Sequence, residues 1–252
     1  VVLESHRQWW TPELRHLPQE NVAVQPANRG TGAAVLLPLL SILDQDPEAT
    51  VVVFPCDHFV EQEAVLRRAL RDTLAVAGDR LVLLGAKPRS NDTELGWICP
   101  QHAAVPEPAP ISTFVEKPAP EVLERLRRKG ALVNTLILTG PAAALLELYR
   151  ESAPDVLELL GGDRGDPKRP TPEALEHAYR EMEHLDFSRD LLEPAAQHNH
   201  LWVTLLPSCG WSDLGTKERL ESVRWQLTHQ VAVATPHPDP ELCRFGPDYW
   251  LG

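Results

Sequence analysis

The chain has 252 residues, 43% of them apolar and 24% charged, and carries a formal net charge of −12. This length and apolar share exclude a disordered chain and support one large α/β domain or two small ones. The acidic balance excludes a general nucleic-acid binder, which needs basic residues against phosphate, although an anionic ligand can still occupy a local basic pocket.

The N-terminal run VVLESH has no initiator Met, basic n-region or signal-peptide core, and reads as the end of a strand, so an upstream segment is expected. In chain order, β-rich runs fall at 21–25, 50–54, 80–86, 111–116, 136–139 and 201–206. Helical periodicity falls at 32–43, 61–75, 121–129, 141–151, 171–184 and 216–228. Alternation of the two kinds predicts a mostly parallel central sheet flanked by helices. In 61–75, Val65, Leu66, Ala69, Leu70 and Leu74 share one face and Arg67, Arg68, Arg71 and Asp72 the other, so the arginines are expected in solvent. Twenty-four prolines are about twice the usual share, and those at 100–110 and 167–172 mark surface loops. Residues 1–228 read as one domain and 229–252, where periodicity fades, as a C-terminal tail.

No run of about 18 apolar residues occurs, so no membrane-spanning helix and no membrane partner are expected. The four cysteines, Cys56, Cys99, Cys209 and Cys243, show neither CxxC nor zinc spacing, which suits a reduced, cytoplasmic protein. No GxGxxG follows a strand, which argues against a Rossmann dehydrogenase.

Chemistry-bearing residues cluster at predicted strand ends, where α/β proteins bind ligands. Asp57 follows the strand VVVF; alone it reads more readily as a solvated or capping residue. Asp213, in GWSDLGT, is a second acid in a comparable place, with an N-cap of the following helix as its plain alternative. Glu116 and Lys117 end the strand in FVEKP, where an exposed ion pair is the plain alternative. The turn QPANRGT at 25–31 could present helix N-terminal amides and Arg29 to a phosphate or a base. His58 reads as a packed histidine, and Trp97 and Trp211 as candidates to line a pocket.

Taken in order, QPANRGT, FPCDHF, LGW (95–97), FVEKP, NTLIL and GWSDLGT resemble the sugar-1-phosphate nucleotidyltransferases, and among them the mannose-1-phosphate guanylyltransferase branch. The resemblance covers residues 21–220. Cys56 stands where the family has Ser, Trp97 where Tyr is common, and Asn134-Thr135-Leu136 where it has Asn-Ser-Gly; Asp186-Phe187-Ser188 departs from Ile-Asp-Tyr. The family's N-terminal Gly-rich loop, which wraps the nucleoside triphosphate, does not occur in this chain. The expectation is a GT-A/Rossmann-like α/β fold without its N-terminal strand and loop, more readily by truncation than by loss.

The resemblance implies in-line attack of a sugar 1-phosphate on the α-phosphorus of a nucleoside triphosphate, with release of pyrophosphate. The reactants would be GTP and mannose 1-phosphate. Asp57 and Asp213 would hold Mg²⁺, and Lys117 would neutralise the sugar phosphate; these three form the catalytic set. Gly96, Glu116 and Asn134 would contact the sugar, and Gln25, Pro26 and Arg29 would border the nucleotide. Two alternatives stand beside this reading: a regulatory homologue that binds sugar nucleotides without turnover, and an enzyme using glucose 1-phosphate with UTP or dTTP. Assembly into a homo-oligomer stays open.

Overall fold

The runs LVLLGA and LWVTLL are apolar almost without interruption, as strands covered on both faces must be, and they form the middle of the sheet. The structure, a computed structural model, describes residues 1–102, 107–162 and 170–230. In chain order it contains β1 (Val2–Leu3), α1 (Arg7–Leu14), β2 (Val24–Gln25), α2 (Gly30–Gln45), β3 (Thr50–Val53), β4 (His58–Phe59) and α3 (Glu63–Ala77). There follow β5 (Leu81–Ala86), β6 (Trp97–Pro100), β7 (Ala109–Val115), α4 (Pro120–Arg128), β8 (Leu132–Pro141), α5 (Ala142–Ser152) and α6 (Pro154–Leu159). Next come α7 (Pro172–Glu181), a π-helix (Phe187–Leu192), α8 (Glu193–Gln197), β9 (Leu201–Leu206), β10 (Ser212–Asp213) and α9 (Lys217–Gln230). All six predicted strands and all six predicted helices are present, the strand at 201–206 with the same ends and the others with shifted ends. Residues 229–230 close α9; the remainder of the predicted tail, Cys243 and parts of both proline-rich loops lie outside the described residues.

The described residues divide into two compact units, one of Val1–Cys56 with Val60–Trp211, the other of Asp57–Phe59 with the described residues from Ser212 on. The first unit holds a six-stranded sheet in the order β3-β8-β5-β9-β7-β6, and the start of β8 also pairs with β6. The α/β class with flanking helices holds, but the expected mostly parallel sheet does not. Within that sheet only β5 and β9 run parallel, while every other pairing is antiparallel. The reason is connectivity: a crossover helix enforces parallel pairing when the strands it joins become neighbours. Here α3, α4 and α5 each lead from one strand of the sheet to another that is not its neighbour.

Alternation along β5 sends Leu81 and Leu83 to one face and Leu84 to the other. The first face packs against Leu36, Leu40 and Leu43 of α2, Leu145 and Tyr149 of α5, and Phe187 and Leu191 of the π-helix. The second meets Leu66 and Ala69 of α3. The apolar stripe predicted for α3 is used, except that Leu74 is exposed and Thr73 and Ala77 are buried instead. A third cluster gathers Trp97, Cys99, Leu123, Leu126 and Val133 beneath α4. Each such buried leucine contributes about 2 kcal/mol relative to exposure.

In the second unit β4 pairs antiparallel with β10, Asp213 opposite His58 and Ser212 opposite Phe59, and α9 follows.

Candidate active site

The first unit presents a small polar cradle where β6, β7 and β8 begin or end. Gly96 is buried, and its carbonyl accepts the Asn134 N–H at 2.8 Å. A Cβ at position 96 would lie 2.6 Å from Glu116 Oε2 and 3.2 Å from the Asn134 Cβ, so any side chain here would push the Glu116 carboxyl aside. Asn134 Oδ1 accepts the Leu136 N–H at 2.9 Å. This bond steadies a bulge: two extra residues of β8 are accommodated between its Leu138 and Asn134 pairings with β5. Leu136 takes φ of 58° there, the left-handed region where the family pattern has glycine. The Thr135 hydroxyl fills the gap, donating to the Leu84 carbonyl at 2.6 Å and accepting the Ile137 N–H at 3.2 Å.

Glu116 sits at the end of β7 with its carboxyl pushed up to about 7. Burial is the main cause, Asp186 adds to it, Lys117 and Arg189 oppose it, and Glu193 adds to it again. A carboxyl that holds a proton near neutrality can donate as well as accept hydrogen bonds. Lys117 is exposed and also left-handed, with φ of 47°. The structure therefore brings Gly96, Glu116, Lys117 and Asn134 together.

Gln25 ends β2, and Pro26 and Arg29 lie on the turn between β2 and α2. Gln25 is buried, and its Oε1 accepts the Tyr179 hydroxyl at 3.1 Å. Arg29 donates from Nε to the Tyr179 carbonyl at 2.6 Å and from Nη2 to that of Arg180 at 3.2 Å, so its guanidinium ties the turn to the end of α7. The turn is also laced to residues 185–187: Leu185 N–H to Arg29 O at 2.9 Å, Gly32 N–H to Leu185 O at 2.8 Å, and Phe187 N–H to Thr31 Oγ1 at 2.9 Å. Gly30, at φ of 89°, permits this approach, since a Cβ there would stand 2.2 Å from the Leu185 carbonyl oxygen.

Trp97 is not a pocket residue. It is fully buried beneath α4, and its indole N–H donates to the Asp92 carbonyl at 2.9 Å. Trp211 is half-buried against the cluster around Cys209.

In the second unit the two acids are strand neighbours, since the Leu214 N–H donates to the Asp57 carbonyl at 2.9 Å and Asp213 faces His58 across the pair. Asp57 is exposed. Asp213 Oδ1 accepts the Gly215 N–H at 2.9 Å and meets Arg219 Nη2 at 2.9 Å, with the Asp213 side chain only 14% exposed. Burial lowers the His58 imidazole while Asp57 and Asp213 pull it upward, which suits a packed, neutral ring. Two carboxylates are the hard oxygen donors that Mg²⁺ takes alongside substrate phosphates, so the donor set fits that ion. Among the described residues no group of three or more His, Cys, Asp and Glu could hold a metal.

Motif reading did not single out Asp186, Arg189 and Glu193, whose charges act on the Glu116 carboxyl. Their segment, LDFSRDLLEP, registered only as a departure from a family pattern; its charges at 186, 189 and 193 were the available signal.

The sequence pattern of the Nucleotidyl transferase family matches residues 3–150, more than half of the chain. The chain belongs to the nucleotidyl transferase family. Among curated relatives, the Escherichia coli mannose-1-phosphate guanylyltransferase is 26% identical over 241 residues, covering 91% of this chain and 49% of its own length. A Vibrio cholerae protein, described as a putative mannose-1-phosphate guanylyltransferase, is 23% identical over 238 residues, covering 91% and 49%. A solved Thermus thermophilus structure, described as a mannose-1-phosphate geranyltransferase, superposes with a TM-score of 0.68 at 26% identity. It covers 93% of this chain and 64% of that one. This nucleotidyl transferase chain thus spans about half the length of the curated relatives it matches. No helix among its described residues is long and apolar enough to cross a membrane.

Proposed function

We propose that this chain carries the nucleotidyl-transfer part of a cytoplasmic, Mg²⁺-dependent mannose-1-phosphate guanylyltransferase, which joins GMP from GTP to mannose 1-phosphate and releases pyrophosphate. The observation that carries this reading is the cradle of Gly96, Glu116 and Asn134 beside Lys117 in a chain of this family. The names of the relatives support the choice of sugar and base.

Both reactants are anions, so positioning and charge neutralisation carry the rate. Glu116 and Asn134 hydrogen-bond sugar hydroxyls, and the glycine at 96 keeps the floor of the cradle open to the ring. Lys117 neutralises the sugar phosphate, whose oxygen displaces pyrophosphate at the α-phosphorus. Gln25, Pro26 and Arg29 border the nucleotide, with Arg29 acting by holding the turn in shape. Asp57 and Asp213 would hold Mg²⁺, which when bound screens the phosphates and supports the charge that develops in transfer.

The test is pyrophosphate release by the full-length protein from each nucleoside triphosphate with mannose 1-phosphate or glucose 1-phosphate, with Mg²⁺ or with EDTA. GTP with mannose 1-phosphate and Mg²⁺ is expected to be fastest. Asp57→Asn and Asp213→Asn should each lower kcat by at least about 100-fold while leaving the fold intact. Near-wild-type turnover in either would sink its assignment as a metal ligand.

A rival reading, binding without turnover, is favoured by the Arg219–Asp213 contact, because Arg219 takes an oxygen that a cation would use. Saturable binding of GDP-mannose with no pyrophosphate release from any substrate pair would establish it.

A further inference from the structure

The carboxylate of Asp213 is claimed by its own chain. Its Oδ1 accepts the Gly215 N–H at 2.9 Å and meets Arg219 Nη2 at 2.9 Å, and the Arg219 and Asp213 side chains are only 18% and 14% exposed. The pair is built into the start of α9. The Thr216 hydroxyl accepts the Arg219 N–H at 3.3 Å, and a Cβ at position 215 would stand 2.9 Å from Asp213 Oδ1 and 3.6 Å from Arg219 Nη2. The neighbouring Lys217–Glu221 pair, 3.7 Å apart with side chains 81% and 62% exposed, is an ordinary surface contact by comparison. A cation in the first turn of a helix is opposed by the helix dipole, so helix formation does not explain Arg219 there. Its enclosed pairing with Asp213 does.

We propose that Arg219 is the resident counter-ion of Asp213, which holds back a divalent cation and so sets how strongly the metal site binds. The inference rests on the reading of Asp57 and Asp213 as metal ligands. An enclosed carboxylate without a partner is costly, and a guanidinium meets that need at Asp213 in the metal-free protein. A second cation at the same carboxylate then faces repulsion from the guanidinium, and it competes for an Oδ1 that already serves two donors. The protein alone therefore binds the cation weakly, and its carboxylates take the ion most readily when triphosphate oxygens add further ligands. Arg219 acts through Asp213 and is a positioning residue.

Mn²⁺ is the probe, its binding to the full-length protein without nucleotide followed by electron paramagnetic resonance. Arg219→Gln removes the charge and keeps a polar side chain; it should bind Mn²⁺ about tenfold more tightly than wild type. Lys217→Gln, which removes an exposed cation from the same turn, should change the affinity by less than about twofold. Adding Asp213→Asn to Arg219→Gln should abolish the gain. Where Arg219→Gln folds poorly, the wild type decides alone: Mg²⁺ should shift the NMR signals of the Arg219 Nε–H and the Gly215 amide with one midpoint. Equal or weaker Mn²⁺ binding by folded Arg219→Gln overturns the proposal, as does a gain that survives Asp213→Asn or a Gly215 signal that moves alone. If the wild type turns over no substrate pair, the functional reading fails separately, and the Mn²⁺ affinities still decide the role of Arg219.

Discussion

At the scale of single residues, Glu116 ties stability to pH. Its folded carboxyl titrates near 7 against an ordinary value of 4.5, so the folded protein holds this proton more tightly than the unfolded chain does. The stabilisation is therefore full below about 4.5 and is lost as pH rises towards 7. Glu116→Gln escapes that loss. Urea denaturation should find it more stable than wild type at pH 8 by about 1 kcal/mol, after discounting for partial exposure, with the gap closing by pH 4.5. The motifs made Glu116, Lys117 and Asn134 legible because each ends or begins a strand within a short, distinctive pattern. The attachment of residues 185–187 to the turn at 29–32 was not legible, because it depends on hydrogen bonds between residues over 150 positions apart, such as Phe187 to Thr31. Trp97 misled for a related reason: its position in a sugar-loop pattern says nothing of the α4 residues that bury it.

At the scale of elements, the turn between β2 and α2 is more than a ligand loop. It is joined to α7 by Arg29 and to residues 185–187 by three hydrogen bonds, with Gly30 as the point of closest approach. Gly30→Ala would place a methyl group against the Leu185 carbonyl and strain a backbone at φ of 89°. Thermal or urea unfolding should show a loss of at least about 2 kcal/mol. Helices α2, α3 and α5 were readable from their apolar period. The π-helix was not, because a five-residue hydrogen-bond step leaves no standard period in so short a segment. Strand β6 was missed because WICP is short and ends in proline.

At the scale of the whole molecule, the α/β class followed from the alternation of segments, but strand direction did not. Direction depends on which strands become neighbours, and the partners of β8, which include β3, β5 and β6, are far from it in sequence. Stability should be correspondingly uneven. Strands β5 and β8 bury nearly every residue and β9 four of its six, whereas α1 buries none and α9 buries only Val223 among its described side chains. Amide hydrogen exchange should therefore be fastest in α1 and α9 and slowest in β5 and β9, by several orders of magnitude. Equal protection of α9 and β5 would contradict this ranking.

The buried tyrosines have one more consequence. Tyr149 donates its hydroxyl to the Gly32 carbonyl at 2.8 Å, and Tyr179 donates to Gln25, so two of the chain's three phenols are struts of the turn. Burial pushes both well above the ordinary range, and neither can become phenolate while its strut is in place. The protein thus contains its own optical gauge: in alkaline solution, the ultraviolet absorbance contributed by these two phenols registers the release of their struts without any added label.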